Sequence, residues 1–105
     1  MLFIETSIFT KRVKALMDDE EYRELQQSLA DHPKQGALLR GGGGIRKMRW
    51  AREVTGKSGG FRVIYHYAEK AQHQRMLFIF GKNEQSNLSD SQLSQLRSIV
   101  ERWVA

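Results

Sequence analysis

The sequence predicts an α+β fold, in which a small antiparallel β-sheet carries two N-terminal helices and one C-terminal helix packed against it. Two observations predict it. Apolar residues recur at helical spacing in three stretches, each opened by a capping signal, while three β-like stretches follow one another at 45–52, 60–68 and 75–81 with short polar links suited to hairpins. The resulting order, β-α-α-β-β-β-α, groups its strands as hairpin neighbours rather than alternating them with helices.

The elements follow in chain order. Leu2 to Ile4 reads as a short apolar strand, after which Thr6 or Ser7 caps a helix with Phe9, Val13, Leu16 and Met17 on one stripe. A second helix starts at Asp18: Asp18 and Glu21 have the spacing of a capping box, and Met17 and Tyr22 that of a hydrophobic staple. Tyr22, Leu25 and Leu29 give it one apolar stripe, and Pro33 stops it because the residue before a proline resists helical geometry. Residues 34–44 form a connection ending in Gly41-Gly42-Gly43-Gly44, read as a flexible entry to the sheet. The later part of Arg75 to Phe80 is apolar throughout, as expected of a strand buried on both faces. The last helix opens at Ser89 with Gln92 completing a second box and Leu88 stapled to Leu93, and Leu93, Leu96, Val100 and Trp103 form its stripe.

At 105 residues the chain is read as one domain, 1–105, with no internal repeat or linker. It carries 17 Lys plus Arg against 12 Asp plus Glu, a formal charge of +5. Such an excess favours nucleic acid, an acidic membrane or an acidic protein. Its distribution is more telling: Arg46, Lys47, Arg49, Arg52, Lys57 and Arg62, with Arg40 nearby, face a single acid in that stretch, Glu53. The absence of cysteine excludes a disulfide framework and thiolate chemistry. The apolar start Met1-Leu2-Phe3-Ile4 ends at Glu5, too short for a signal peptide or a membrane span, so a cytoplasmic protein without a membrane partner is expected. His32, His66 and His73 lack metal-ligand spacing, and neither a metal nor another cofactor is expected.

Strand alternation sorts the basic residues. Met48 and Trp50 point to one face of their strand and Lys47 and Arg49 to the other; Arg62 points away from Phe61, Val63, Tyr65 and Tyr67. If these strands pair as a meander, Lys47, Arg49 and Arg62 share a sheet face, and Lys82 arrives at a strand end. For each residue alone a solvated polar face is an equally good explanation. For the group it is a poorer one, because like charges facing each other destabilise a sheet unless an anion offsets them. A polyphosphate partner suits this pattern better than a small neutral ligand.

The glycines support no nucleotide site. Gly56-Lys57-Ser58 has the ending of a phosphate-binding loop, but Ala51 stands where that motif needs its first glycine, and Gly59, Gly60 and a strand follow in place of a helix. Gly41 to Gly44 precedes a strand and does not spell the dinucleotide fingerprint. His66 has the chemistry of a general acid or base, yet reads better as a half-buried strand residue. Phe61, Tyr65, Tyr67, Phe78 and Phe80 have faces on which bases can stack, but most of them, like Trp50 and Trp103, read as core.

Three motifs in order, Leu38 through the glycines to Arg46-Lys47-Met48-Arg49, then Gly60-Phe61-Arg62-Val63-Ile64-Tyr65, then Gly81-Lys82-Asn83-Glu84, give the chain its resemblance to the RelE/HigB branch of the RelE/ParE toxin superfamily. The resemblance spans nearly the whole chain and implies a ribosome-dependent endoribonuclease that enters the A site and cuts mRNA, working without metal and neutralised by a cognate antitoxin of the helix-turn-helix type. In such an enzyme the RNA 2′-hydroxyl attacks the adjacent phosphate, and fixed cations stabilise the charge that builds there. The resemblance places Lys47 and Arg49 at the family's paired basic strand positions, Arg62 at the arginine of its Gly-aromatic-Arg strand and Lys82 at the lysine after the last strand's glycine; these are the catalytic candidates. Arg46, Arg52, Lys57 and Asn83 are the candidate nucleic-acid contacts. Asn83 stands where RelE has an arginine and Ser89 where it has a catalytic tyrosine, so the general acid and base stay unassigned, with Lys47 one candidate. Two other functions stay open: a non-nuclease toxin of the ParE branch acting on DNA gyrase, and a basic RNA-binding module without activity.

Overall fold

The computed structural model describes residues 1–51 and 60–104, and its elements run β1 (Leu2–Glu5), α1 (Ser7–Leu16), α2 (Asp19–Asp31), β2 (Ala37–Leu38), β3 (Ile45–Trp50), β4 (Phe61–Ala68), β5 (His73–Gly81) and α3 (Asp90–Val104). The caps form where the sequence puts them. Thr6 Oγ1 accepts from Phe9 N (3.0 Å), Asp18 Oδ1 accepts from Glu21 N (2.8 Å), and Ser89 and Gln92 exchange bonds of 3.1 and 2.9 Å in a reciprocal box. Each satisfies an amide that the helix itself leaves without a partner.

The sheet has the order β1-β5-β4-β3-β2. Its β3–β4 and β4–β5 pairs are antiparallel as expected, β2–β3 is antiparallel too, but β1 runs parallel to β5, with Leu2 opposite His73 and Glu5 opposite Met76. The sheet is therefore mixed rather than purely antiparallel. A parallel pair needs a crossover of a dozen residues or more, which the long excursion after β1 supplies. The element order does not reveal which strand β1 will choose.

A second difference lies between Pro33 and Ile45. The short β2 pairs with β3, Ala37 opposite Lys47 and Leu38 opposite Arg46, and the four glycines form the connecting loop. Bonds from Leu39 N to Ile45 O (2.9 Å) and from Gly42 N to Leu39 O (3.0 Å) close that loop, and Arg97 of α3 ties it down through Gly41 O (3.0 Å). The run expected to be a flexible entry is thus a hydrogen-bonded hairpin. Glycine is required at Gly44, where φ is +98° and a Cβ would lie 3.1 Å from His66 Nε2.

Two apolar layers sandwich the sheet. On one face Phe9 and Val13 of α1 and Leu25 and Leu29 of α2 pack on Met48, Val63, Tyr65, Met76 and Ile79. On the other, Leu96 and Val100 of α3 cover Ile45, Ile64, Leu77 and Phe80. The register between β4 and β5 shifts at Ile64/Tyr65, an irregularity that lets the consecutive residues Leu77 and Phe78 both serve the α3 layer. This is why Met76 to Phe80 reads as an unbroken apolar run. No helix among the described residues is long and apolar enough to cross a membrane.

Candidate functional site

The β3–β4 register decides which cations meet. Arg49 lies directly opposite Arg62, and Lys47 lies opposite Ile64, one rung further on the same face. Met48, Val63 and the half-buried Trp50 and Phe61 occupy the opposite face, where they pack on the α1–α2 layer. The alternation read from the sequence therefore holds. Directly paired residues carry Cβ atoms about 5 Å apart, close enough for two guanidinium groups to grip one phosphate.

Lys82 joins this end of the sheet through its backbone. Beyond the last β4–β5 pair, Phe61 with Gly81, Lys82 N donates to Gly60 O at 3.3 Å. The lysine thus begins its reach beside the start of β4, two residues from Arg62. Lys82 and Asn83 are both exposed in the turn after β5. That turn is closed by Glu84, whose N donates to Gly81 O (3.0 Å) and whose Oε1 accepts from Gly81 N (2.9 Å). The Gly81 amide, and after it the Arg12 guanidinium, hold the Glu84 carboxyl below the usual range. The acid nearest Lys82 in sequence is therefore committed elsewhere.

Lys47 is half-buried, and its Nζ donates to Asn87 Oδ1 at 3.4 Å, a long contact with the segment that leads into α3. Gln85 stiffens that segment by donating to Asn87 O (2.8 Å) and Gln92 Oε1 (2.8 Å). Lys47, Arg49 and Arg62 thus share the α3 face of the sheet, and the backbone of Lys82 lies at the same sheet end, where β5 leads towards α3.

Arg46 is not part of this group. Its alternation sends it to the opposite face, where Nη1 donates to Gly36 O (2.7 Å) and Lys34 O (3.1 Å). There it secures the turn into β2 together with Tyr65, whose hydroxyl accepts from Gly36 N (2.8 Å) and donates to Pro33 O (3.0 Å). Arg52 and Lys57 lie outside the described residues.

His66 shares the face of Arg62 but lies two alternations away, opposite Ile45 on one side and Arg75 on the other. Burial, reinforced by the Arg75 charge, pushes its pKa below the ordinary value. Its Nδ1 has no hydrogen-bond partner, and Gly44 packs against its ring. These features describe a desolvated strand histidine, separated from the basic cluster by Ile64.

Sequence reasoning missed Arg12, Glu84 and Asn87 as neighbours of the cluster. Glu84 stood inside a quoted motif but was not recognised as a brace, and nothing in the local pattern of α1 sets Arg12 apart from the helix's other cations.

Comparison with known proteins gives this geometry a family. A family model described as the RelE toxin of the RelE / RelB toxin–antitoxin system matches residues 3–105. A chain from the crystal structure of the intact E. coli RelBE toxin–antitoxin complex superposes with a TM-score of 0.59 at 16% identity, covering 76% of this chain and 94% of that one. At that identity the superposition speaks for the fold, and the family match supplies the classification. The chain belongs to the RelE toxin family.

Proposed function

We propose that the chain is a ribosome-dependent, metal-independent mRNA endoribonuclease that arrests translation, held in check by a cognate antitoxin of the helix-turn-helix type. The observation that carries this reading is the Arg49–Arg62 rung with Lys47 and Lys82 beside it, on one face of a RelE-family sheet. Two guanidinium groups opposed across a ladder match the oxygens of one phosphodiester.

In the proposed reaction the RNA 2′-oxygen forms a bond to the adjacent phosphorus while the bond to the 5′-oxygen breaks. The products are a 2′,3′-cyclic phosphate and a 5′-hydroxyl, the latter taking up a proton equivalent to the one the 2′-hydroxyl gives up. Arg49 and Arg62 grip the non-bridging oxygens as negative charge accumulates on the phosphorane-like transition state. Lys47 and Lys82 add charge from the two sides, and Asn83 contacts the nucleotide. Stabilisation by fixed cations of this kind is often the largest single catalytic contribution, and the ribosome supplies orientation of the RNA backbone. Arg46, engaged with carbonyls on the other face, supports the site through the β2 hairpin.

The antitoxin follows from the family description, which pairs RelE with RelB, and from the two-protein complex in which the similar chain was solved. The test is a translating extract programmed with one defined mRNA. Wild-type protein is expected to cut it, Arg62→Ala to leave it intact while remaining folded, and the purified antitoxin to protect it. Intact mRNA together with inhibited gyrase supercoiling would instead place the protein in a ParE-like role. Salt-dependent RNA binding with neither effect would identify a binding module.

A further inference from the structure

The turn that carries Lys82 is clamped from the other side of the sheet. The β1 ladder stops at Glu5 opposite Met76, so the outer edge of β5 continues past its neighbour. Arg12 of α1 occupies that edge. Its Nε donates to Ile79 O at 2.6 Å, its guanidinium lies over the Phe78 ring with Cζ 5.1 Å from the centroid, and its Nη2 reaches Glu84 Oε2 at 2.5 Å. The other oxygen of the same carboxylate accepts from Gly81 N (2.9 Å). A single chain of contacts therefore runs from α1 over the rim of β5 to the Gly81–Glu84 turn.

An ordinary exposed ion pair contributes little and holds nothing in place. This one differs because the guanidinium is fixed by a backbone carbonyl and an aromatic face before it meets the carboxylate, and because the carboxylate is itself folded onto the backbone of the turn it closes. The lowered pKa of Glu84, caused first by the Gly81 amide and then by Arg12, accords with a carboxylate held in its charged form. What the contacts fix is the backbone at Gly81 and Glu84, on either side of Lys82 and Asn83. Among the described residues the lysine's other anchor is its own N–H on Gly60 O.

We infer that Arg12 and Glu84 are positioning residues for Lys82, setting the point from which its ammonium approaches the scissile phosphate. The inference rests on the RNA-cleavage reading above. Neither residue touches RNA in this account, so their effect must pass through Lys82.

A double-mutant cycle on translating ribosomes tests this, with kcat and KM measured for cleavage of one defined mRNA by the wild type, Arg12→Ala, Glu84→Gln, Lys82→Ala and the two pairwise combinations with Lys82→Ala. Misplacing a catalytic group costs roughly tenfold or more in rate, so Arg12→Ala and Glu84→Gln are each expected to lower kcat about tenfold with KM within about twofold. In the Lys82→Ala background neither is expected to lower it further. Glu84 is exposed, so Glu84→Gln reports even if Arg12→Ala unfolds. Losses that multiply in the double variants, or wild-type rates in both single variants, overturn the positioning role. A wild-type protein that leaves mRNA intact overturns the RNA-cleavage reading, and this inference with it; a wild type that cuts while the losses multiply overturns the inference alone.

Discussion

Arg49 and Arg62 occupy directly opposed positions on β3 and β4, a like-charge rung with Lys47 one rung further on the same face and the Lys82 backbone bonded to Gly60 at the strand end. A bound phosphate would give the two guanidinium groups one shared anion. Removing one arginine should separate stability from activity. Arg49→Ala is expected to change urea-unfolding stability by no more than about 0.5 kcal/mol, because the side chain is exposed. Cleavage of mRNA by the same variant is expected to fall about 100-fold, the usual scale for losing one transition-state contact. A variant that is both less stable and fully active would show the rung to be structural.

Gly60 precedes Arg62 by two residues and has φ +58°; a Cβ there would lie 2.3 Å from Trp50 O. No small adjustment removes a clash with backbone at that distance. Gly60→Ala is therefore expected to cost about 1–3 kcal/mol in denaturant unfolding, combining backbone strain with displacement of the neighbouring strand. It should also lower activity, because Gly60 O receives the Lys82 amide at 3.3 Å.

Much of this was legible in the sequence. Capping boxes at Asp18 and Ser89 depend on side chains three residues apart, and a period of two puts Lys47 and Arg49 on one face of their strand and Arg62 opposite Phe61 and Val63 on its own; local rules suffice for these, while bringing Arg62 to the face of Lys47 and Arg49 takes the β3–β4 register. The parallel β1–β5 pair was not legible, since it joins residues about 70 positions apart and nothing near Leu2 specifies Met76 or His73 as a partner. The β2 hairpin was hidden by its two-residue length and by glycines that read equally well as a loose linker. Arg12 was hidden because its role comes from where β1 ends, a fact of topology rather than of composition.

His66 should make stability pH-dependent. Its folded pKa lies below the ordinary 6.5, first through burial and second through Arg75, so the folded state holds fewer protons at this site than the unfolded chain does. The contribution is fully present above about pH 6.5 and is lost as pH falls through the folded value. Unfolding free energy measured by denaturant titration is expected to decline on acidification below that point, and His66→Gln to flatten the slope. An unchanged slope would show that the histidine stays solvated.

Thr6 ties α1 to β5 with one side chain. Its hydroxyl accepts from Phe9 N (3.0 Å) as the cap of α1 and donates to Leu77 O (2.8 Å) on β5, just where the β1 ladder ends. Thr6→Ala is expected to cost about 2 kcal/mol, the loss of a cap together with a buried carbonyl left without its donor. Thr6→Ser should recover most of it in the same urea titration. Activity per folded molecule is expected to stay near wild type, because the hydroxyl lies away from the basic cluster.

The most direct test of the central claim is to map mRNA 5′ ends across the transcriptome a few minutes after induction of the wild type and of Arg62→Ala. The account predicts new 5′-hydroxyl ends within translated codons, dependent on ongoing translation and absent with the variant. Unchanged mRNA ends in cells that the wild-type protein has nonetheless arrested would contradict it.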